Sequence, residues 1–413
     1  MSIRINIPNT KCRAGATISG TVSLHGDVDI DVEIITISLV GRCKTKVVRR
    51  NGNNSSSTYR GRAPLLEYRQ VLFKGPNTMK TNGHSWPFSF TFPPRCVARG
   101  ADPFKQRHGL FDINPQQSLP PSFANDKHSF YSNWRGECFV KYELEASLIG
   151  NRTKIFSLGD LKTEKTLDFI TTRDIETFKP DFIEKGQTIA CYSLRLQPGH
   201  ENGPITFKEK LQSIRTSKLP VAVFKLHMLL PKVGILAHSL PLILRLEHDI
   251  EASTTQSHPI VTLRKCIVEL QANTYIQCIR DEMFREGDEQ RDWSDEFHIA
   301  SIDYSADMDK APPVTESMDL QKLMRIKVPW HQKPTFSTFN IRRTYRLAVK
   351  LSVDCAQKTF KAEFASYKFD LLAADYASPM ATQELEMAAP TYGDLSGQLP
   401  TYQDAKLASG AIP

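Results

Sequence analysis

The sequence predicts an all-β protein, two antiparallel β-sandwiches in tandem followed by a disordered C-terminal tail. Three observations predict it. The dominant hydrophobic period is two rather than 3.6. The same strand grammar restarts near Leu219. The pattern then collapses after about Asp375.

Taken in order, Ile3, Ile5 and Ile7 alternate with Arg4 and Asn6. Ile18, Val22 and Leu24 follow Gly15 and Gly20, and Ile35, Ile37 and Leu39 lead to Gly41. Phe88, Phe90 and Phe92 alternate with Ser89 and Thr91. Val140, Tyr142, Leu144, Ala146 and Leu148 alternate with Lys141, Glu143, Glu145 and Ser147. Such runs are half-buried strands, with one face to a core and one to water. Turn-forming clusters separate them, among them Pro8-Asn9, His25-Gly26-Asp27, Lys74-Gly75-Pro76-Asn77 and Pro93-Pro94. The second set opens with Val221, Val223, Leu226 and Met228 and continues with Leu240, Leu242, Leu244 and Leu246. Ile260 to Ile279 is long enough for a strand that bends and changes sheets. Ile341, Tyr345 to Val353 and Phe360 to Leu371 close the set.

This pattern divides the chain into a first sandwich at 1–167, a weakly patterned connecting segment at 168–218, a second sandwich at 219–372 and a tail at 373–413. The connecting segment holds a strand-like run, Ile189 to Leu196, and a helical candidate, Thr206 to Ile214. Three polar inserts read as loops: Asn51 to Arg62, Val97 to Ser118, and the acidic Asp281 to Glu296.

At 413 residues with 40% hydrophobic and 24% charged residues, the chain has enough apolar material for two cores, which excludes wholesale disorder. The longest greasy stretch, Leu229 to Leu246, is broken by Pro231, Lys232, His238, Pro241 and Arg245, which excludes a membrane-spanning helix. Met1 to Ile5 lacks the apolar core of a secretory leader. The eight cysteines contain no Cys-x-x-Cys pair, so we expect reduced thiols packed as small apolar side chains. Residues 1–165 carry 24 Lys/Arg against 13 Asp/Glu, whereas 166–413 carry 29 against 32. The basic front half therefore suits acidic lipid or acidic peptide. Nucleic acid is disfavoured, because compact basic runs with interleaved aromatics are missing.

No phosphate loop, nucleophile elbow, zinc-protease motif or calcium loop occurs in the sequence. Glu143 and Glu145 share a strand face with Lys141, which reads as a solvent face rather than an acid–base pair. His238, His248 and His258, spaced by ten, sit where half-buried strand histidines do. We therefore expect a non-enzymatic protein with no metal or cofactor.

Several local patterns together resemble one family, the α-arrestins or arrestin-like proteins of fungi. They are Ala14-Gly15-Ala16-Thr17-Ile18-Ser19-Gly20-Thr21-Val22, Trp86 to Pro93, and Leu119-Pro120-Pro121-Ser122-Phe123 followed by Val140 to Ala146. In the back half, Leu230-Pro231, Leu240-Pro241-Leu242 and Phe336 to Ile341 leading to Tyr345 also fit. The resemblance spans about 1–372. Ala14 stands where proline is often found, and the 97–118 insert lengthens one connection. No cationic run resembles the phosphate-sensing polar core of visual arrestins. The resemblance implies an arrestin-like fold and a cytoplasmic adaptor recruited to plasma membrane or endosomes. Such an adaptor links cytosolic tails of transporters or receptors to a HECT-type ubiquitin ligase for endocytosis. The alternative is a trafficking or pH-signalling scaffold acting without direct ligase recruitment.

Two sets of candidate residues follow. Lys44, Lys46, Arg49 and Arg50, at the end of one strand, are candidates for contact with anionic membrane or acidic peptide; Lys44 and Lys46 alternate with Cys43, Thr45 and Val47. In the tail, Ala389-Pro390-Thr391-Tyr392 and Leu399-Pro400-Thr401-Tyr402 repeat a Pro-Thr-Tyr core ten residues apart. WW domains take a proline that presets a polyproline-II turn and a tyrosine two positions later. Leu399 supplies apolar contact where the usual motif has a first proline, and Ala389 supplies less, so the second copy is expected to bind better.

Overall fold

The computed structural model describes residues 2–26, 29–52, 55–79, 83–97, 117–129, 133–150, 160–171, 181–200, 219–255, 258–280 and 288–374. The first nine strands are β1 (Ser2–Asn6), β2 (Lys11–Cys12), β3 (Thr17–His25), β4 (Ile30–Arg50), β5 (Ser56–Met79), β6 (Ser85–Thr91), β7 (Phe123–Ser129), β8 (Trp134–Gly150) and β9 (Leu161–Phe169). One sheet runs β1-β3-β6, and the sheet facing it runs β5-β4-β8-β9-β2 with β7 beside β8. The alternation dictates this layering. Ile35, Ile37, Leu39, Cys43 and Val47 of β4 are buried with Ile5, Val22 and Phe90 of the smaller sheet.

Two glycines at the chain's opening have local reasons. Gly15 adopts φ +76° in the turn closed by Ala16 N–H donating to Arg13 O at 3.1 Å, a conformation costly for other residues. At Gly20 a Cβ would lie 2.3 Å from Asn6 O, so any side chain there pushes β1 off β3.

Three separated motifs meet in one aromatic cluster. Tyr142 lies 5.8 Å from Phe92 and 4.9 Å from Phe169 between ring centroids. Its hydroxyl donates to Pro120 O at 2.8 Å, and Ser122 Oγ accepts from Phe169 N–H at 2.8 Å. Tyr142→Phe is expected to cost about 1–2 kcal/mol, because it leaves a buried carbonyl unpaired. Tyr142→Ala is expected to cost about 3–5 kcal/mol. Denaturant unfolding checks both, and a neutral Phe variant would show that this bond contributes nothing.

The second half comprises β10 (Phe182–Tyr192), β11 (Val221–Pro231), β12 (Val233–Ile235), β13 (Ile243–Asp249), β14 (Val261–Arg280), β15 (Asp288–Asp303), β16 (Met318–Asp319), α1 (Leu320–Met324), β17 (Phe336–Ser337), β18 (Ile341–Cys355) and β19 (Lys358–Leu372). The sheet β10-β11-β13-β16 faces the sheet β12-β19-β18-β14, to which β15 and β17 attach. Phe224, Leu226, Leu244, Val268, Leu347 and Phe364 lie in the core between them. All pairings between these strands are antiparallel except β2–β9 and β12–β19.

Three expectations change. The connecting segment 168–218 contributes β10, which pairs along its whole length with β11; the second sandwich thus draws a strand from before residue 219. Ser56 to Arg62 belongs to β5, not a loop, because it pairs with Lys44 to Arg50. The acidic stretch is strand from Asp288 onward: β14 supplies its backbone partners, and Trp293 anchors it, buried 6.0 Å from the Trp134 ring. The helical candidate at 206–214 and the tail from 375 lie outside the described residues. No helix among the described residues is long and apolar enough to cross a membrane. All eight cysteines are free and buried. Burial pushes the Cys12, Cys266 and Cys278 thiols up to about 12, with Asp168 adding to the effect at Cys12.

The two sandwiches belong to one compact unit, and the long strands explain why. β14 and β18 each serve both cores. Cys266 to Ala272 and Tyr345 to Cys355 line the second core, whereas Ile276, Cys278 and Ile341 enter the first with Phe336 and Phe339. At its end β14 also pairs with β5, Ile279 opposite Arg60.

Candidate functional site

The register of β4, β5 and β8 fixes the candidate basic surface. Cross-strand neighbours in an antiparallel pair share a face. Arg42 therefore lies beside Lys141, Lys44 beside Arg62 and Phe139, and Lys46 beside Arg60 and Glu137. Six cations thus share the outward face of the first sandwich with Glu137, Glu143 and Glu145. Lys44 Nζ stands 5.6 Å over the Phe139 ring. Burial and then the neighbouring Arg42 and Arg62 charges pull its ammonium below its ordinary range.

Of the predicted residues, Lys44 and Lys46 lie half-buried on this face, and Arg49 and Arg50 are exposed at the end of β4. The Arg50 main-chain N–H donates to Asn133 O at 2.8 Å. Arg135 Nε reaches Glu137 at 3.0 Å and Lys46 reaches it at 3.9 Å. Glu143 departs from expectation. It is 1% exposed and paired with both Arg42 and Lys141. Burial raises its pKa, but Lys141 and Arg42 outweigh that and hold the carboxyl below its ordinary range. Arg42 also meets Glu145 at 3.1 Å.

A second polar cluster joins the sandwiches. Arg343, 4% exposed on β18, donates to Thr274 Oγ1 and lies 3.6 Å from Asp295. Its guanidinium sits 5.6 Å from the Phe123 ring and 5.4 Å from Tyr345. From β7 of the first sandwich, Lys127 donates to Asp295 at 3.1 Å and Asn125 at 3.5 Å. A neighbouring network is more deeply buried: Thr45 on β4 donates to Gln277 O at 2.7 Å and accepts from Asn340 Nδ2 at 3.3 Å. Sequence reading sought a cationic run and missed both. The available signal was parity, since Arg343 occupies an inward position between Ile341 and Tyr345.

The histidines divide. His248 and His258 stack with centroids 4.5 Å apart, and burial followed by the His258 charge pulls the His248 pKa down. His238 instead bonds Leu236 O through Nδ1 at 2.9 Å. Among the described residues no group of three His, Cys, Asp or Glu is placed to hold a metal ion. The WW-ligand candidates Ala389, Pro390, Tyr392, Leu399, Pro400 and Tyr402 lie outside the described residues.

Residues 1–99 match the family model described as Arrestin (or S-antigen), N-terminal domain. No curated protein matches the chain significantly. The matched stretch contains β1 to β6, hence the small sheet, the two long strands of its partner and the basic residues of β4 and β5. The protein has an arrestin-like fold, and its first 99 residues are similar to the arrestin N-terminal domain.

Proposed function

We propose that this protein is a non-enzymatic arrestin-related adaptor of the fungal α-arrestin type. In this reading it couples membrane cargo such as transporters to a WW-domain HECT ubiquitin ligase, for ubiquitylation and endocytosis. The observation that carries the reading is the pair of Pro-Thr-Tyr cores at 390–392 and 400–402, behind an arrestin-like body. Proline presets the polyproline-II geometry that an aromatic groove accepts, and the tyrosine ring fills the adjoining slot. Two copies on one tail raise the effective concentration of the second contact once the first is made. Tail peptides titrated with WW domains of a HECT ligase test this. Tyr402→Ala is expected to remove most of the affinity and Tyr392→Ala less. Equal binding by both variants and the parent peptide would contradict it.

The body has two features suited to cargo. Among the described residues β1 pairs only with β3, so a cytosolic tail can add to it as a further strand. The outward face bearing Lys44, Lys46, Arg60 and Arg62 suits an acidic tail or an anionic membrane surface. Vesicles containing phosphatidylserine are expected to bind the protein at low salt and release it as ionic strength rises. Lys44→Glu with Lys46→Glu should abolish that binding. Equal binding to neutral vesicles would exclude the membrane contact.

A further inference from the structure

The 16-residue strand β15 has a neighbour on one side only. Among the described residues its main chain pairs with β14 and with no other strand. From Asp292 to His298 that pairing is regular. Beyond His298 the register shifts between Val268 and Glu269 and leaves Ile299 unpaired. Among the described residues, then, the outer edge of Asp292 to His298 presents N–H and C=O groups to which no other main chain bonds. Such a row is a template for one more strand. Asp292, Ser294, Glu296 and His298 are all exposed, so solvent reaches the whole stretch.

The side chains flanking this edge select the strand that fits it. β15 carries six carboxylates against one cation, Arg291. Asp295 is committed to Lys127 and Arg343, Glu289 to Arg291, and Asp303 to Lys265. Asp292 and Glu296 stand on the exposed face, either side of Ser294. On the other face the Phe297 ring lies 6.3 Å from His331, and His331 lies 5.9 Å from Trp330. Trp330 is 76% exposed, so this aromatic wall ends in solvent. A second copy of β15 would set like charges against each other across the new pairing. The chain's own tail has Glu384, Glu386, Asp394 and Asp404 against Lys406, again the wrong sign. In an extended segment successive side chains point to opposite faces, so one alternate set can be cationic and the other apolar. We propose that the free edge of β15, Asp292 to His298, binds an extended segment of a partner protein in which Lys or Arg alternates with bulky apolar residues. Its main chain continues the sheet, its cations meet Asp292 and Glu296, and its apolar side chains reach Phe297, His331 and Trp330. The site is separate from the β1 edge and the basic face of the first sandwich, and it stands whether or not the tail recruits a ligase.

The probe is a fluorescein-labelled heptapeptide of alternating Lys and Val, followed by anisotropy with the full chain. It is expected to bind saturably, and the Glu/Val counterpart at least tenfold more weakly, because like charges then face each other. Asp292→Lys with Glu296→Lys is expected to weaken the Lys/Val probe at least tenfold at an unchanged melting temperature, since both side chains are exposed. Trp330→Ala is expected to weaken it about fivefold through lost apolar contact. Two N-methylated probes, one for each alternate set of amides, separate strand pairing from charge attraction alone: one set should abolish binding and the other leave it intact. Hydrogen exchange of the parent supplies a check independent of the variants, with amides in 292–298 slowed by the probe. No saturable binding, equal binding of the Glu/Val probe, undiminished binding to either variant, equal binding of both N-methylated probes, or unchanged exchange at 292–298 would overturn the proposal.

Discussion

Residues 1–171 expressed alone are expected not to give a cooperatively folded sandwich, although they contain β1 to β9. The reason lies in the second half of the chain. Ile276, Phe336, Phe339 and Ile341 are buried in the first core. At about 1.5–3 kcal/mol for each large apolar side chain, their removal forfeits roughly 6–12 kcal/mol. That rivals the whole stability of a domain, about 5–15 kcal/mol. The fragment also loses the partners of Thr45, which bonds Gln277 and Asn340 inside the fold. Circular dichroism and denaturant titration of the fragment check this. A sharp transition near that of the full chain would show that the first sandwich stands by itself. In the intact protein, Ile341→Ala should cost about 2–5 kcal/mol through the cavity it leaves.

Asp295→Ala should be the most damaging single change at the polar cluster. Arg343 is almost fully buried beside it, and removing one member of a buried pair strands the other charge in a poorly solvated site. Asp295 is 26% exposed and the separation is 3.6 Å, so the expected loss is about 3 kcal/mol, at the low end of the usual range for such a deletion. The double variant Asp295→Ala with Arg343→Met should recover a large part of it, because no unpaired charge remains. A double-mutant cycle in urea reads the coupling directly. Additive losses would mean that the two side chains do not depend on each other.

Much of the fold was legible because a strand with one wet face writes its burial into its sequence. Leu39, Cys43 and Val47 are buried while Ser38, Arg42, Lys44 and Lys46 on the other parity are half-buried, as the period requires. Period two says nothing, however, about which strand lies alongside. The acidic stretch after Asp288 reads as loop by composition, and only pairing with β14 and the anchoring of Trp293 make it a strand. Phe182 to Tyr192 buries few side chains because it is an edge strand, so its inward set, Ile189 and Cys191, was too sparse to place it with the second sandwich. Glu143 was read correctly as to parity and wrongly as to burial, since Arg42 and Lys141 cover it from neighbouring positions. The polar cluster escaped for a deeper reason. Asn125, Lys127, Thr274, Asp295 and Arg343 lie more than two hundred positions apart from end to end, and only the tertiary fold makes them neighbours.

In the proposed function the tail brings a ubiquitin ligase to cargo bound by the arrestin-like body. Reconstituted ubiquitylation of a membrane cargo, with the full chain against Tyr392→Ala with Tyr402→Ala, tests it most directly. Thermal unfolding of the variant against the parent serves as the control for folding. The double variant is expected to bind cargo as the parent does, yet neither to recruit the ligase nor to support ubiquitylation. Undiminished recruitment and ubiquitylation by the double variant would contradict it.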